Sequence, residues 1–343
     1  MIFIIWYTVF MKKIYAIFAL TLFVPLLTSA HVKWFVDSDE VIKTSHGILP
    51  FYGITNKEVL IWSFIVLLTV FIFSVIDTHI KSPSKLLAFG LKNEKVINRI
   101  SQAVLGLFLI TVSLVWKIIL IPEIPVEASV TYILQIIQIA VGCMFVFNIL
   151  PRVASVTLML FCGGLIFQTG FVSLLENTIL LSLAFYFYII HSPEDSRVFQ
   201  MFNKHAVEIV RIGTGISLIT LAFTEKFLYP ELSMQFLQVH HWNFMQEVFP
   251  WFSDKLFVLS TGFAETIFGI LFIFGYITRV TTVLIAVFFG LSVTTMLVQF
   301  RQWEVEDLVV YSAAILFIFY GHGKTKFFHF IRRNTSFQKN VIG

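Results

Sequence analysis

The stretch STGFAETIFGILFIFGYITRVTT, Ser260 to Thr282, decides how the chain is read. It is apolar enough to lie in a bilayer, yet it carries one carboxylate, Glu265, inside the apolar run. An acidic side chain at membrane depth costs roughly 2.5–3.5 kcal/mol on insertion scales, so it must face protein or water and have a partner. The rest of the sequence is read outward from that requirement.

Composition agrees with a membrane span. Of 343 residues, 58% are hydrophobic and only 13% charged, with a mean hydropathy of +0.88, which excludes a soluble globular domain. Phenylalanine-rich aliphatic runs suit helices in lipid, and the short alternating segments of a membrane barrel are absent, so the fold class is all-α. Lys and Arg gather in short loops and at the C-terminus rather than in one patch, which sets topology and gives no nucleic-acid surface. Cys143 and Cys162 lie in apolar stretches without CxxC spacing and read as ordinary packing.

Along the chain, residues 1–30 read as a signal peptide. Its start is either Met1 or Met11, because MKKIYAIFALTLFVPLLTSA has a basic start, an apolar centre and a small-residue end. Residues 31–58 form an outer segment and 59–80 a separate transmembrane helix. Further spans are expected at about 100–120, 130–149, 153–171, 177–191, 206–228, 256–276, 280–300 and 307–321, nine in all by the ~20-residue criterion. The basic loop with Lys81, Lys85, Lys92, Lys95 and Arg99 is placed inside. Arg152, Arg197, Lys204, Arg279 and the tail 324–343 fall on the same side. Arg301, near Glu304 and Glu306, is the exception. The expected localisation is the cell inner membrane, with the mature N-terminus periplasmic and the C-terminus cytoplasmic.

The last eight spans divide into two groups of four, 95–191 and 206–323, that resemble each other. GCMFVFNILPRV, Gly142 to Val153, matches GILFIFGYITRV, Gly269 to Val280. Glu176 to His191 aligns with Asp307 to His322, and Arg99-Ile100 with Arg211-Ile212. An even number of helices per unit makes this a parallel repeat. Gln138 then stands where Glu265 stands. The first half also lacks the outer segment Tyr229 to Asp254, which holds His240, His241, Trp242 and Trp251.

For the carboxylate's partner, TEKFLYP offers Glu225 and Lys226 near the outer end of the preceding helix, and a lysine stem spans much of the depth to Glu265. Two readings stand side by side: a structural ion pair tying two helices, or the polar end of a ligand cleft. Arg211 and Arg279 read as topology anchors, and Glu176 and Asp307 as helix-start carboxylates. His31, His46, His240 and His241 are expected on one side of the membrane, where neutral imidazoles suit copper or zinc. The competing reading for the last two is an amphipathic segment lying on the membrane plane, with Phe236, His240, Phe244 and Val248 at intervals of four. No GxGxxG, P-loop, GxSxG or CxxCH motif is present.

The second half resembles the DoxX family of four-helix membrane proteins. The residues that carry the likeness are RIGTGISLITLAFTEKF at Arg211 to Phe227, the run from Gly262 to Phe288, and the helix from Asp307 to Gly323. Lys226, Glu265, Gly269, Gly275 and Arg279 match the family pattern. That family includes a subunit of a thiosulfate:quinone oxidoreductase and partners of redox-stress complexes. The resemblance therefore implies a membrane subunit of a redox system handling a quinone or a small sulfur species, with a periplasmic protein partner. Glu265, Lys226 and Glu225 are then the candidate catalytic residues. A transporter or channel for a small solute or metal ion, and a non-catalytic assembly scaffold, are the other classes these residues allow.

Overall fold

The computed structural model describes residues 52–53, 55–79, 84–125, 129–240, 243, 245–295 and 307–321. The signal segment 1–30, nearly all of the outer segment 31–58 and the tail 324–343 lie outside the described residues.

The described chain is helical throughout, apart from one short hairpin. A long apolar helix, α1 (Lys57–His79), is followed by a short amphipathic α2 (Ser84–Lys92). The first group then runs α3 (Glu94–Thr111), α4 (Ser129–Phe147), α5 (Pro151–Gln168), the short α6 (Phe171–Glu176) and α7 (Thr178–Ile190). A short α8 (Arg197–Phe202) leads into the second group. This begins with α9 (Ala206–Leu221), α10 (Pro230–His240) and α11 (Met245–Val248). It continues with α12 (Asp254–Phe274), α13 (Thr278–Thr295) and α14 (Asp307–Tyr320). Among the described residues, six helical stretches are long and apolar enough to cross a membrane: 57–79, 94–116, 129–147, 151–168, 197–228 and 254–274. Three shorter apolar helices stand beside them, 178–190, 278–290 and 307–320. This is an integral membrane protein, and its outward apolar residues, such as Phe64, Phe71, Ile133 and Phe167, are suited to lipid rather than water.

Two elements were not expected from the sequence. Where a span was read to residue 120, α3 passes into a π-helical turn, Val112–Trp116. Lys117 then takes a left-handed conformation (φ 52°), and the chain folds into an antiparallel hairpin, β1 (Ile118–Ile119) and β2 (Ile121–Pro125). A π turn also ends α9, at Ala222–Leu228.

Packing is reciprocal. Helix α3 lies along α4, and α9 lies along α12, while α7 packs on α9 and α14 packs on α3. Each group's last helix thus covers the first helix of the other. At the α3–α14 seam the hydroxyls of Ser101 and Ser312 each donate to the other's backbone carbonyl, at 2.8 and 2.9 Å. On the α7–α9 seam Thr178 Oγ1 donates to Gly213 O at 2.9 Å. In membranes small residues allow such close approach, and hydroxyls tie the backbones together. Glycine pairs do the same inside each group. A Cβ on Gly106 would lie 2.6 Å from Gly142 O, and a Cβ on Gly215 would lie 2.6 Å from Gly269 O.

Three arginines tie helix ends together. Arg99 donates to Phe145 O and Val146 O at 3.1 and 2.6 Å, and Arg279 donates to Ile318 O and Phe319 O at 2.8 and 2.9 Å. Arg211, fully buried, donates to Phe272 O and, at 2.9 Å, to Ile273 O. Each guanidinium satisfies the carbonyl end of a neighbouring helix, where backbone acceptors lack intrahelical partners and the dipole is negative. Arg211, read from the sequence as an anchor, is a buried helix clamp. Helix α12 turns off over it at Gly275 (φ 73°), where a Cβ would approach Arg211 Nη1 to 2.8 Å.

Candidate functional site

Glu225, Lys226 and Glu265 come together where the π turn that ends α9 meets α12. In a regular helix adjacent residues diverge by about 100°. The π turn widens the backbone there, and both Glu225 and Lys226 are buried. A carbonyl in this irregular turn is served from α10, whose Ser233 hydroxyl donates to Glu225 O at 3.0 Å. Lys226 Nζ then sits between two carboxylates, 2.7 Å from Glu225 Oε2 and 3.1 Å from Glu265 Oε1. The second oxygen of Glu265 has no hydrogen-bond partner among the described residues.

Aromatic rings close one side of the cluster. Phe227 and Phe263 lie 4.8 Å apart by ring centroids, and Trp62 of α1 stacks on Phe263 at 6.3 Å. The separate transmembrane helix therefore buttresses the wall of the site. On the other side Glu265 lines a cavity of about 80 Å³ that is walled by both groups of helices. Its polar lining is Glu176, Asn177, Thr214, Ser217 and Glu265, and its apolar wall includes Phe108 of α3 and Leu120 of the hairpin.

One ammonium is shared between two carboxylates here, inside a frame of apolar helices. Such an arrangement can hold a proton, or bind a small polar solute at the free oxygen. The lining residues Asn177, Thr214 and Ser217 were not singled out from the sequence. They look like routine helix-surface polar residues, and only the packing of α7 on α9 turns them toward one space.

The histidines are placed differently. His31, His46 and His241 lie outside the described residues, while His240 is the last residue of α10. Among the described residues no group of three or more His, Cys, Asp or Glu side chains is arranged to hold a metal ion. The outer segment is partly docked: Leu237 packs with Phe252, Phe257 and Val258, whereas Trp251 and Val248 are exposed.

No known protein family, curated protein or solved structure matches the chain. What fold and site define is a polytopic helical membrane protein in which, among the described residues, Glu225, Lys226 and Glu265 form an ionic cluster beside a cavity between the helices.

Proposed function

We propose that the chain is a DoxX-like inner-membrane protein of nine spans, one separate helix followed by two four-helix units in parallel repeat. Its C-terminus is cytoplasmic, and it moves a small polar solute through the cavity at Glu265. The observation that carries this reading is Glu265 itself. One of its oxygens pairs with Lys226 and the other has no protein partner among the described residues, while the residue lines a cavity walled by both halves. Binding sites of repeat-built transporters lie at such interfaces between halves. Size supports a small solute. At about 80 Å³ the cavity is on the scale of a few water molecules and below the ~150 Å³ of a cavity that binds benzene.

The test is flux in proteoliposomes loaded with a pH-sensitive dye and challenged with gradients of small cations, weak acids and sulfide. Glu265→Gln is expected to lower the supported flux at least tenfold while the protein remains folded. Equal flux in both proteins overturns the reading. A second reading, a redox membrane subunit acting on a small sulfur species, is favoured because the DoxX-like residues Lys226 and Glu265 fall on the site itself. It predicts Glu265-dependent electron transfer from sulfide or thiosulfate to quinone in the same membranes, without net flux.

A further inference from the structure

We infer that the short helix α2 and the corner that follows it form a docking surface for anionic phospholipid. Lys85, Lys92 and Lys95 meet the phosphate headgroups, and Phe89 and Leu91 meet the acyl chains. This surface is separate from the cavity at Glu265, and its occupant is lipid of the surrounding bilayer.

Local sequence fixes both the helix and the face it shows. Asn93 ends it: the backbone N–H and the side-chain Nδ2 both donate to Phe89 O, at 3.0 and 2.9 Å, and α3 starts at the next residue. Gly90 decides which face is buried. A Cβ there would lie 3.1 Å from Phe319 Cβ, so the bare backbone of α2 rests on the end of α14. The Phe89 ring packs on the Phe319 ring at 5.8 Å between centroids and still remains 54% exposed. At about 100° per residue, Lys85, Phe89 and Lys92 fall on one stripe about 60° wide, turned away from Gly90.

Depth and charge identify the occupant. Helix α2 sits where the apolar frame ends: α1 stops at His79, α3 begins at Glu94, and α14 gives Ile318 O and Phe319 O, near its own end, to Arg279. At such a boundary an exposed phenylalanine reaches acyl chains while lysine ammoniums rise to the headgroups. Lys85, Lys92 and Lys95 are exposed, and none has an ion-pair partner among the described residues. From residue 84 to residue 96 the single acid is Glu94, which stands in the first turn of α3, where the helix dipole favours a carboxylate. The patch is therefore cationic and complements an anionic headgroup, whereas a zwitterionic headgroup brings its own cation. Phe89, Leu91 and Val96, exposed beside the lysines, favour lipid over a soluble acidic protein, which would satisfy the charges but has no acyl layer to cover these side chains.

The experiment follows thermal unfolding of the purified full-length protein in detergent. Dioleoylphosphatidylglycerol is titrated in, with dioleoylphosphatidylcholine and inorganic phosphate in parallel at matched ionic strength. A ligand that binds only the folded state raises the midpoint in a saturable manner. Phosphatidylglycerol is expected to do so, phosphatidylcholine to shift the midpoint far less, and inorganic phosphate not at all. The triple variant Lys85→Gln/Lys92→Gln/Lys95→Gln should keep its lipid-free midpoint, because the three side chains are exposed. It should need at least tenfold more phosphatidylglycerol for half-saturation, since each lysine near a membrane surface adds to the attraction for anionic lipid. Lys85→Arg/Lys92→Arg/Lys95→Arg, which keeps the charge, should respond like the wild type. So should Lys57→Gln/Arg197→Gln/Lys204→Gln, which removes the same charge from exposed positions elsewhere. The inference is overturned if phosphatidylglycerol has no effect on the wild type, if phosphatidylcholine matches it, or if inorganic phosphate alone produces the shift. An unchanged half-saturation in the first triple variant, or an equal loss in the variant altered elsewhere, overturns it as well.

Discussion

The two groups of helices use the same frame and finish it differently. In each, a glycine of the first helix meets a glycine of the second, Gly106 with Gly142 and Gly215 with Gly269, and the first helix ends in a π turn. Counting from these glycines, Trp116 and Lys117 stand where Glu225 and Lys226 stand, and Gln138 stands where Glu265 stands. In the first group Lys117 is exposed and the chain turns into the hairpin. Gln138 then has a neutral solution: its amide oxygen accepts from Leu120 N at 3.0 Å and its nitrogen donates to Leu109 O at 3.3 Å. In the second group the lysine turns inward between two carboxylates. One half satisfies this position with backbone groups, whereas the other leaves an ionic cluster beside a cavity. Both halves place a polar residue at this level of the second helix, and only one of them places a charged one.

Lys226→Met breaks this contrast most severely. It leaves buried Glu225 and the partly buried Glu265 without their shared cation, and removing one partner of a buried ion pair costs ~3–5 kcal/mol. A large fall in the detergent unfolding midpoint is expected. The same exchange at Lys117, which is exposed, should leave the midpoint within experimental error. Similar midpoints for the two variants would show that the lysines are equivalent and the contrast false.

Next in size is Gln138→Glu, which puts the second half's charge into the first half's surroundings. Leu120 N remains a donor for one oxygen, but Leu109 O then faces a carboxylate without a proton between them. With no buried lysine beside it, the charge should cost roughly 2.5–3.5 kcal/mol, as on insertion scales. The reverse exchange, Glu265→Gln, should cost clearly less. Unfolding titrations of both variants measure the difference, and equal costs would mean that the two sites have the same electrostatics.

Much of this was legible in the sequence. The apolar runs place the helices, because each must bury its own backbone polar groups in lipid. Glu265 identifies itself as the residue to explain, and the fixed interval from Gly269 to Arg279 mirrors that from Gly142 to Arg152. Other features depend on contacts that no periodicity reports. A π turn leaves no pattern in hydropathy, so the inward lysine and outward lysine look alike in sequence. The hairpin Ile118–Pro125 is as apolar as the helix before it and reads as a continuation of the span. Register was also misleading at one point. Arg99 aligns with Arg211 as letters, but the glycine contacts pair Gln102 with Arg211, and Gln102 Nε2 donates to Phe145 O at 2.9 Å as Arg211 does to Phe272 O. A long guanidinium one turn away reaches the same carbonyls, so arginine position alone does not fix the alignment.

The smallest effect tests the shared frame rather than the difference. A Cβ on Gly142 would lie 2.7 Å from Ile110 Cγ1 and 2.8 Å from Gly106 O; on Gly269 it would lie 2.6 Å from Ile219 Cγ1 and 2.8 Å from Gly215 O. The isoleucine side chain can turn away, but the carbonyl belongs to a helix backbone and moves only if the helices part. Gly142→Ala and Gly269→Ala should therefore each cost about 1–3 kcal/mol, the usual penalty for overpacking. Because the obstructing atoms are the same, the two losses should agree closely, and the double variant should show their sum, as expected for separated sites. A Gly269→Ala loss well above that of Gly142→Ala would mean that the α9–α12 contact also carries the ionic cluster, since parting those helices would draw Lys226 away from Glu265.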